Sequence, residues 1–223
     1  MQRGVYIFIG PPGSGKGTLS AWCRETFGWE LLSTGRLCRQ RVADGTVVGS
    51  QIDFALKSGK LVSDQVITEV VVDWFMHKVQ QIFTIILDGF PRTVVQARAF
   101  HQALRDAVSD CMIFVVELEV DDGTVMERLA RRYICANRDC QVTYALATSS
   151  NGGICSVCNS SLIRRDDDAA EFVRERLVTY RQHRDGLLHF YDSLGVPIKR
   201  LNAGVPREAL FSQFDAIVKY WTA

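Results

Sequence analysis

The segment Gly10-Pro-Pro-Gly-Ser-Gly-Lys-Gly-Thr18 constrains this chain more than any other. It fits the pattern G-x-x-x-x-G-K, with Gly17 between the lysine and the hydroxyl residue Thr18. The apolar run Val5-Tyr-Ile-Phe-Ile9 precedes it, and a helical pattern from Lys16 follows. Glycines let the backbone curl until several N–H groups point inward. With the helix N-terminus they make a ready site for phosphate. Lys16 is placed to bridge phosphates in transfer. The plain alternative is a glycine-rich turn without a ligand.

Short β-branched runs alternate with longer helical patterns around this loop. Strands are predicted over 5–9, 30–32, 84–87, 112–118 and 198–201. Helices are predicted over 16–27, 35–43, 49–58, 64–78, 94–107, 123–132, 169–193 and 207–220. Continuous apolar strands between helices mean a parallel sheet covered on both faces, a doubly wound α/β fold of about five strands. The helical stretch 34–63 has no strand of its own, and over 133–163 Cys, Asn, Ser and Gly displace helical periodicity. The expected division is a core of 1–33, 64–132 and 167–223 carrying two insertions, a helical one at 34–63 and a small one at 133–166.

The 26 basic and 25 acidic residues leave a net charge of +1, which gives no support for bulk affinity to nucleic acid or anionic membrane. No apolar run reaches the roughly 18 residues of a membrane span. The start leads directly into a strand and a glycine-rich turn rather than a cleavage site, so the chain reads as cytosolic. Seven cysteines, an odd number, argue against a disulfide framework. Cys23, Cys38 and Cys111 read as small hydrophobes.

Three further patterns carry chemistry. Leu87-Asp-Gly-Phe-Pro-Arg-Thr93 follows a buried strand, where ligands bind in open α/β sheets. Asp88 suits Mg²⁺ held through water, and Arg92 suits a phosphate clamp. Read alone, they are equally a helix cap and a surface ion pair. Arg39, Arg92, Arg128, Arg132, Arg165 and Arg176 are candidates to neutralise charge on a transferring phosphoryl, against the bland reading of solvated helix faces. Cys135-x4-Cys140 and Cys155-x2-Cys158 make two knuckles suited to a closed tetrahedral Zn²⁺ site, although such thiolates also accept iron. Four free thiols in a metal-less loop are the alternative.

Together these motifs resemble the adenylate kinase family, in its long form whose lid carries a zinc knuckle. The resemblance covers nearly the whole chain. It includes Gly10–Thr18, Thr34-Gly35, Arg39, Gly59-Lys-Leu-Val-Ser-Asp64, Asp88–Thr93 and Gln96. It continues through Glu127-Arg-Leu to Arg132, the four cysteines, Arg165-Asp-Asp-Asp168 and Arg176. A phosphate loop alone is shared by many NTPases; one followed by Asp-Gly-Phe-Pro-Arg-Thr at this distance is specific.

The resemblance implies reversible, Mg²⁺-dependent phosphoryl transfer between ATP and AMP, in line and under a closing lid, with no phosphoenzyme. It implies that Gly13, Ser14, Gly15, Lys16, Gly17 and Thr18 cradle ATP's phosphates. Thr34, Arg39, the Lys60, Leu61 and Val62 backbone, and Gly89, Phe90, Pro91 and Arg92 would hold AMP, and Gln96 would read the adenine edge. Arg132, Arg165 and Arg176 would close over the phosphoryl group, oriented by Asp167 or Asp168. Arg128 and the Thr143-Tyr144 backbone would border ATP's base and ribose, and the backbone near Val205 would meet its adenine. Asp88 would organise Mg²⁺; Cys135, Cys140, Cys155 and Cys158 would hold structural Zn²⁺. Lys16, Asp88, Arg92, Arg132, Arg165 and Arg176 form the implied catalytic set. A cytoplasmic monomer with ATP and AMP as partners is expected, without nucleic acid or membrane.

The chain departs from the family's pattern at three places. Arg36 stands where the family usually has Asp, putting a cation beside the monophosphate site. Arg131-Arg132-Tyr133 stands where Gly-Arg-Arg is common, so only Arg132 is carried over. The first cysteine pair is two residues wider than usual, so its loop must bulge. A kinase for UMP/CMP or GMP, and a zinc-ribbon nucleic-acid module, are the alternatives. Gln96 favours AMP, and the balanced charge and phosphate loop count against the module.

Overall fold

A period of two along the central strand sends its side chains to opposite faces. In β1 (Arg3–Ile9), Val5, Ile7 and Ile9 join one core cluster while Tyr6 and Phe8 join another. The computed structural model describes residues 3–57, 62–79, 83–108, 110–137, 140–145 and 152–222. After β1 come α1 (Lys16–Phe27), β2 (Glu30–Ser33), α2 (Thr34–Ala43), α3 (Val47–Lys57) and α4 (Asp64–Lys78). Then follow β3 (Thr84–Asp88), α5 (Val94–Ala107), β4 (Cys111–Glu119) and α6 (Asp122–Ala130). Three short strands come next, β5 (Arg132–Cys135), β6 (Thr143–Ala145) and β7 (Leu162–Ile163). A 3₁₀ turn, Asp166–Asp168, leads into α7 (Ala170–Ser193), β8 (Ile198–Asn202) and α8 (Arg207–Thr222).

The main sheet has five parallel strands in the order β2-β3-β1-β4-β8. On one face α4, α5 and α7 contribute Phe75, Phe100, Leu104, Leu187 and Tyr191. On the other, α1 and α8 contribute Leu19, Cys23, Leu210, Phe214 and Val218. Burying each large apolar side chain stabilises by about 2 kcal/mol. Cys23 is buried as a small hydrophobe, while Cys38 and Cys111 are partly covered. Among the described residues, no helix is long and apolar enough to cross a membrane.

This topology positions the site. From β1 the chain goes to β2 and β3 on one side and later to β4 and β8 on the other, so a crevice opens at the carboxyl end of β1. Side-chain caps fix the helices around it: Thr93 Oγ1 accepts from Gln96 N (3.2 Å) and Ser63 Oγ from Val66 N (3.3 Å). Gly49 lets α3 fold back onto α2, since a Cβ there would lie 1.9 Å from the Arg41 carbonyl oxygen.

Two regions differ from the sequence expectation. The helix expected to reach 132 stops at Ala130, and Arg132 begins β5. The stretch with no helical period forms an antiparallel sheet in the order β6-β5-β7. Its strands span 4, 3 and 2 residues, too short to display alternation.

Candidate active site

The phosphate loop turns through left-handed Gly13 (φ 75°) and Gly15 (φ 95°), and Gly15 caps α1. Ser14 is fully buried beneath it. Gly17 and Thr18, at the start of α1, are exposed. Lys16 Nζ donates to Gly10 O (2.6 Å), Pro11 O (2.8 Å) and Ser14 Oγ (3.3 Å). Burial lowers the Lys16 ammonium to about 8; the Asp88 charge opposes this, and Arg92, Arg176 and Arg132 add to it.

Asp88 ends β3 beside the loop, its Oδ2 3.6 Å from where a Cβ on Gly17 would lie. Burial pushes its carboxyl up, while Lys16, Arg92, Arg36 and Arg132 pull it down. Thr34 is buried, and its Oγ1 donates to Asp88 O (3.4 Å). The turn Gly89–Arg92 contains buried Phe90 and a cis Phe90–Pro91 bond. Arg92 Nε donates to Gly89 O at 2.8 Å. Gln96 is buried, with Oε1 accepting from Arg92 N (2.7 Å) and Nε2 donating to Asp64 Oδ1 (2.8 Å). Thr93 Oγ1 donates to the other oxygen of Asp64 at 2.8 Å. Asp64 thus ties the start of α4 to the Arg92 turn. In the sequence Asp64 was only the last residue of the Gly59–Asp64 motif, with no role of its own.

The three arginines named on the far side of the crevice are held by two aspartates of the 3₁₀ turn. Arg132 makes a forked pair with fully buried Asp168 (2.8 and 2.5 Å). Arg165 makes another with Asp167 (2.8 and 2.6 Å), and Arg176 Nη1 lies 3.3 Å from Asp167 and 3.7 Å from Asp168. Burial pushes Asp167 up, but Arg165 and Arg176 outweigh it and leave its carboxyl below the usual range. Burial also lowers Arg176 to about 10, so it stays charged near neutral pH.

Arg39, on α2, donates from Nε and Nη2 to Gln141 Oε1 at 2.9 and 2.7 Å, joining residues 102 apart in sequence. The bulge expected between Cys135 and Cys140 falls on 138 and 139, which lie outside the described residues. Gln141 has a positive φ of 47° and follows Cys140. No sequence pattern singled it out. Burial lowers Arg39 to about 10, with Arg165 and Arg36 contributing and Asp167 opposing. Arg128 Nη2 reaches Val205 O (3.4 Å), bringing together two residues assigned to the adenine side. Val62 lies just before the Ser63 cap; Lys60 and Leu61 lie outside the described residues. A separate groove of about 470 Å³ behind the loop is lined by Glu117, Asp121, Asp122, Arg181 and Arg184, charges already paired with one another or with caps.

The sulfurs of Cys135, Cys140, Cys155 and Cys158 lie within 4.8 Å of one another. Cys135 and Cys158 are 3.3 Å apart, Cys140 and Cys155 3.6 Å. Tetrahedral thiolates on one ion sit at about this spacing, so the set is compatible with a structural metal. Tyr144, on β6 beside Thr143, sets its hydroxyl 3.3 Å from Cys155 Sγ and lowers that thiol to about 6.

A cradle for one phosphate chain, faced by guanidinium groups from the β3–α5 turn, β5 and α7, belongs to an enzyme that transfers phosphoryl groups, not to a simple nucleotide-binding module. The family model described as adenylate kinase matches residues 8–196. The chain is 36% identical to an adenylate kinase of Thermosipho africanus over 83% of this chain and 86% of that one. It is 35% identical to that of Borrelia garinii subsp. bavariensis (83% and 84% covered) and 33% identical to that of Archaeoglobus fulgidus (96% and 97%). The chain belongs to the adenylate kinase family, and with it to the nucleoside monophosphate kinases.

Proposed function

We propose that the chain catalyses ATP + AMP = 2 ADP by direct in-line transfer, with region 34–63 as the acceptor lobe and 133–166 as a lid over a core of 1–33, 64–132 and 167–223. One observation carries this reading: the phosphate loop, closed by Lys16 and flanked by Asp88, accompanies three arginines, Arg132, Arg165 and Arg176, gathered by Asp167 and Asp168. Phosphoryl transfer asks the protein to position reactants and neutralise charge on the moving group, and these cations do both.

In this reading Gly13–Thr18 cradle ATP's phosphates and Lys16 follows the γ-phosphoryl. Arg132, Arg165 and Arg176, pre-oriented by Asp167 and Asp168, close over it and exclude water, which would otherwise hydrolyse it. Arg128, the Thr143-Tyr144 backbone and Val205 border ATP's base and ribose. Thr34, Arg39, the 60–62 backbone and Gly89–Arg92 hold AMP. Gln96 has a second amide N–H left for the adenine edge beyond the one given to Asp64. Asp88 is the carboxylate against the loop and would hold Mg²⁺ through its waters. A Mg²⁺ ion held there would supply positive charge to offset that of the phosphates in transfer. Cys135, Cys140, Cys155 and Cys158 hold a structural Zn²⁺. The enzyme works as a monomer in the cytoplasm.

The test is Lys16→Met in a coupled ADP assay. Turnover should fall by roughly a hundredfold or more while the fold persists. Near-normal turnover would sink the mechanism. Rates with AMP, UMP, CMP and GMP should favour AMP.

A further inference from the structure

Among the described residues, Arg36 is the one cation near the proposed acceptor residues with no hydrogen bond or ion pair. It lies in the first turn of α2, two residues after Thr34 and three before Arg39. Its side chain is half-buried. Its neighbours differ: Arg39 is engaged by Gln141, Arg92 by the Gly89 carbonyl, and Arg132, Arg165 and Arg176 by Asp167 and Asp168.

Two costs follow from that position. A partly desolvated guanidinium without an acceptor forgoes hydration unreturned. A cation at a helix N-terminus also faces the positive end of the dipole, and this first turn contains no acid. An anion bound there relieves both at once. Thr34, two residues before it, donates to Asp88 O at 3.4 Å, and the charge of Arg36 bears on Asp88 and on Arg39, so it lies beside residues proposed to hold the acceptor's phosphate.

We propose that Arg36 is a further substrate-binding residue, a guanidinium that grips the phosphate of the nucleoside monophosphate acceptor together with Arg39 and Arg92. The dianionic phosphate supplies the counter-charge the protein omits. The assignment rests on the proposed acceptor site and adds to it a residue on which phosphate affinity depends.

The experiment is steady-state kinetics of wild type, Arg36→Gln and Arg36→Lys, varying AMP at saturating ATP and the reverse, with melting temperatures recorded. Arg36→Gln should raise the KM for AMP roughly tenfold or more and leave the KM for ATP within about twofold. Arg36→Lys keeps the charge but loses the planar fork, and should recover part of the loss. An AMP KM unchanged in Arg36→Gln overturns the assignment. So does a parallel rise of both KM values with a fall in melting temperature, which marks a scaffold residue. If the wild type itself makes no ADP from AMP, the acceptor reading fails first, and with a different result.

Discussion

Lys16 lies under two opposed demands. Transfer needs it charged, yet burial, opposed by Asp88 and aided by Arg92, Arg176 and Arg132, weakens its hold on the proton and leaves the ammonium at about 8 rather than the ordinary 10.5. Two consequences have opposite signs. kcat/KM for ATP, which reports the free enzyme, should fall as pH rises through about 8. Stability should move the other way. Between about 8 and 10.5 the unfolded chain binds more protons at this lysine than the folded one, so its contribution to stability rises with pH across that window. Activity profiles paired with urea titrations on wild type and Lys16→Arg check this. The alkaline limb should vanish in the arginine variant, whatever its absolute rate, because a guanidinium stays charged. A wild-type profile flat to about pH 10 would refute the burial argument. Lys16 was readable from its loop. Glu117 was not: it is buried on β4 and accepts from Arg184 and Arg200, 67 and 83 residues further along the chain. Nothing local announces partners that arrive from α7 and β8.

At the scale of elements, legibility followed length. Helices such as α4 and α5 repeat their pattern over several turns, and the ranges predicted, 64–78 and 94–107, coincide with those observed. Strands β5, β6 and β7 hold too few residues for a period, and only the cysteines in and around them stood out. The four sulfurs come from β5, the turn after it and the turns before β7, so a single ion bound there would crosslink what the ladder alone holds weakly. Freshly purified protein should contain one equivalent of Zn²⁺ by elemental analysis. Removing it with a chelator should lower the melting temperature by about 10 °C, a loss of a few kcal/mol, while the kcat of surviving enzyme at low temperature changes far less. Fresh protein without metal would refute the site; iron in place of zinc would correct only the metal.

At the scale of the whole molecule, α2 and the segment before β6 meet through Arg39 and Gln141. One amide oxygen takes two of the guanidinium's donors, and no sequence pattern couples positions 39 and 141. Gln141 has left-handed backbone, with φ 47°. The contact does two things in the proposed mechanism: it holds lid and acceptor lobe together, and it occupies an arginine that AMP's phosphate needs. A charged donor paired with a neutral acceptor is worth about 1–2 kcal/mol, less than a phosphate dianion offers the same group. AMP therefore displaces Gln141 at a modest cost. Removing the amide should free Arg39 and loosen the lobes together. Gln141→Gly keeps the positive φ without strain and deletes the acceptor. The variant should show a lower KM for AMP, by roughly fivefold, and a larger radius of gyration by small-angle scattering in the absence of nucleotide. With a bisubstrate inhibitor of two adenosines joined by a polyphosphate, variant and wild type should scatter alike, because ligand and not Gln141 then holds the lobes. An unchanged AMP KM together with an unchanged radius would show that the contact restrains neither the arginine nor the lid.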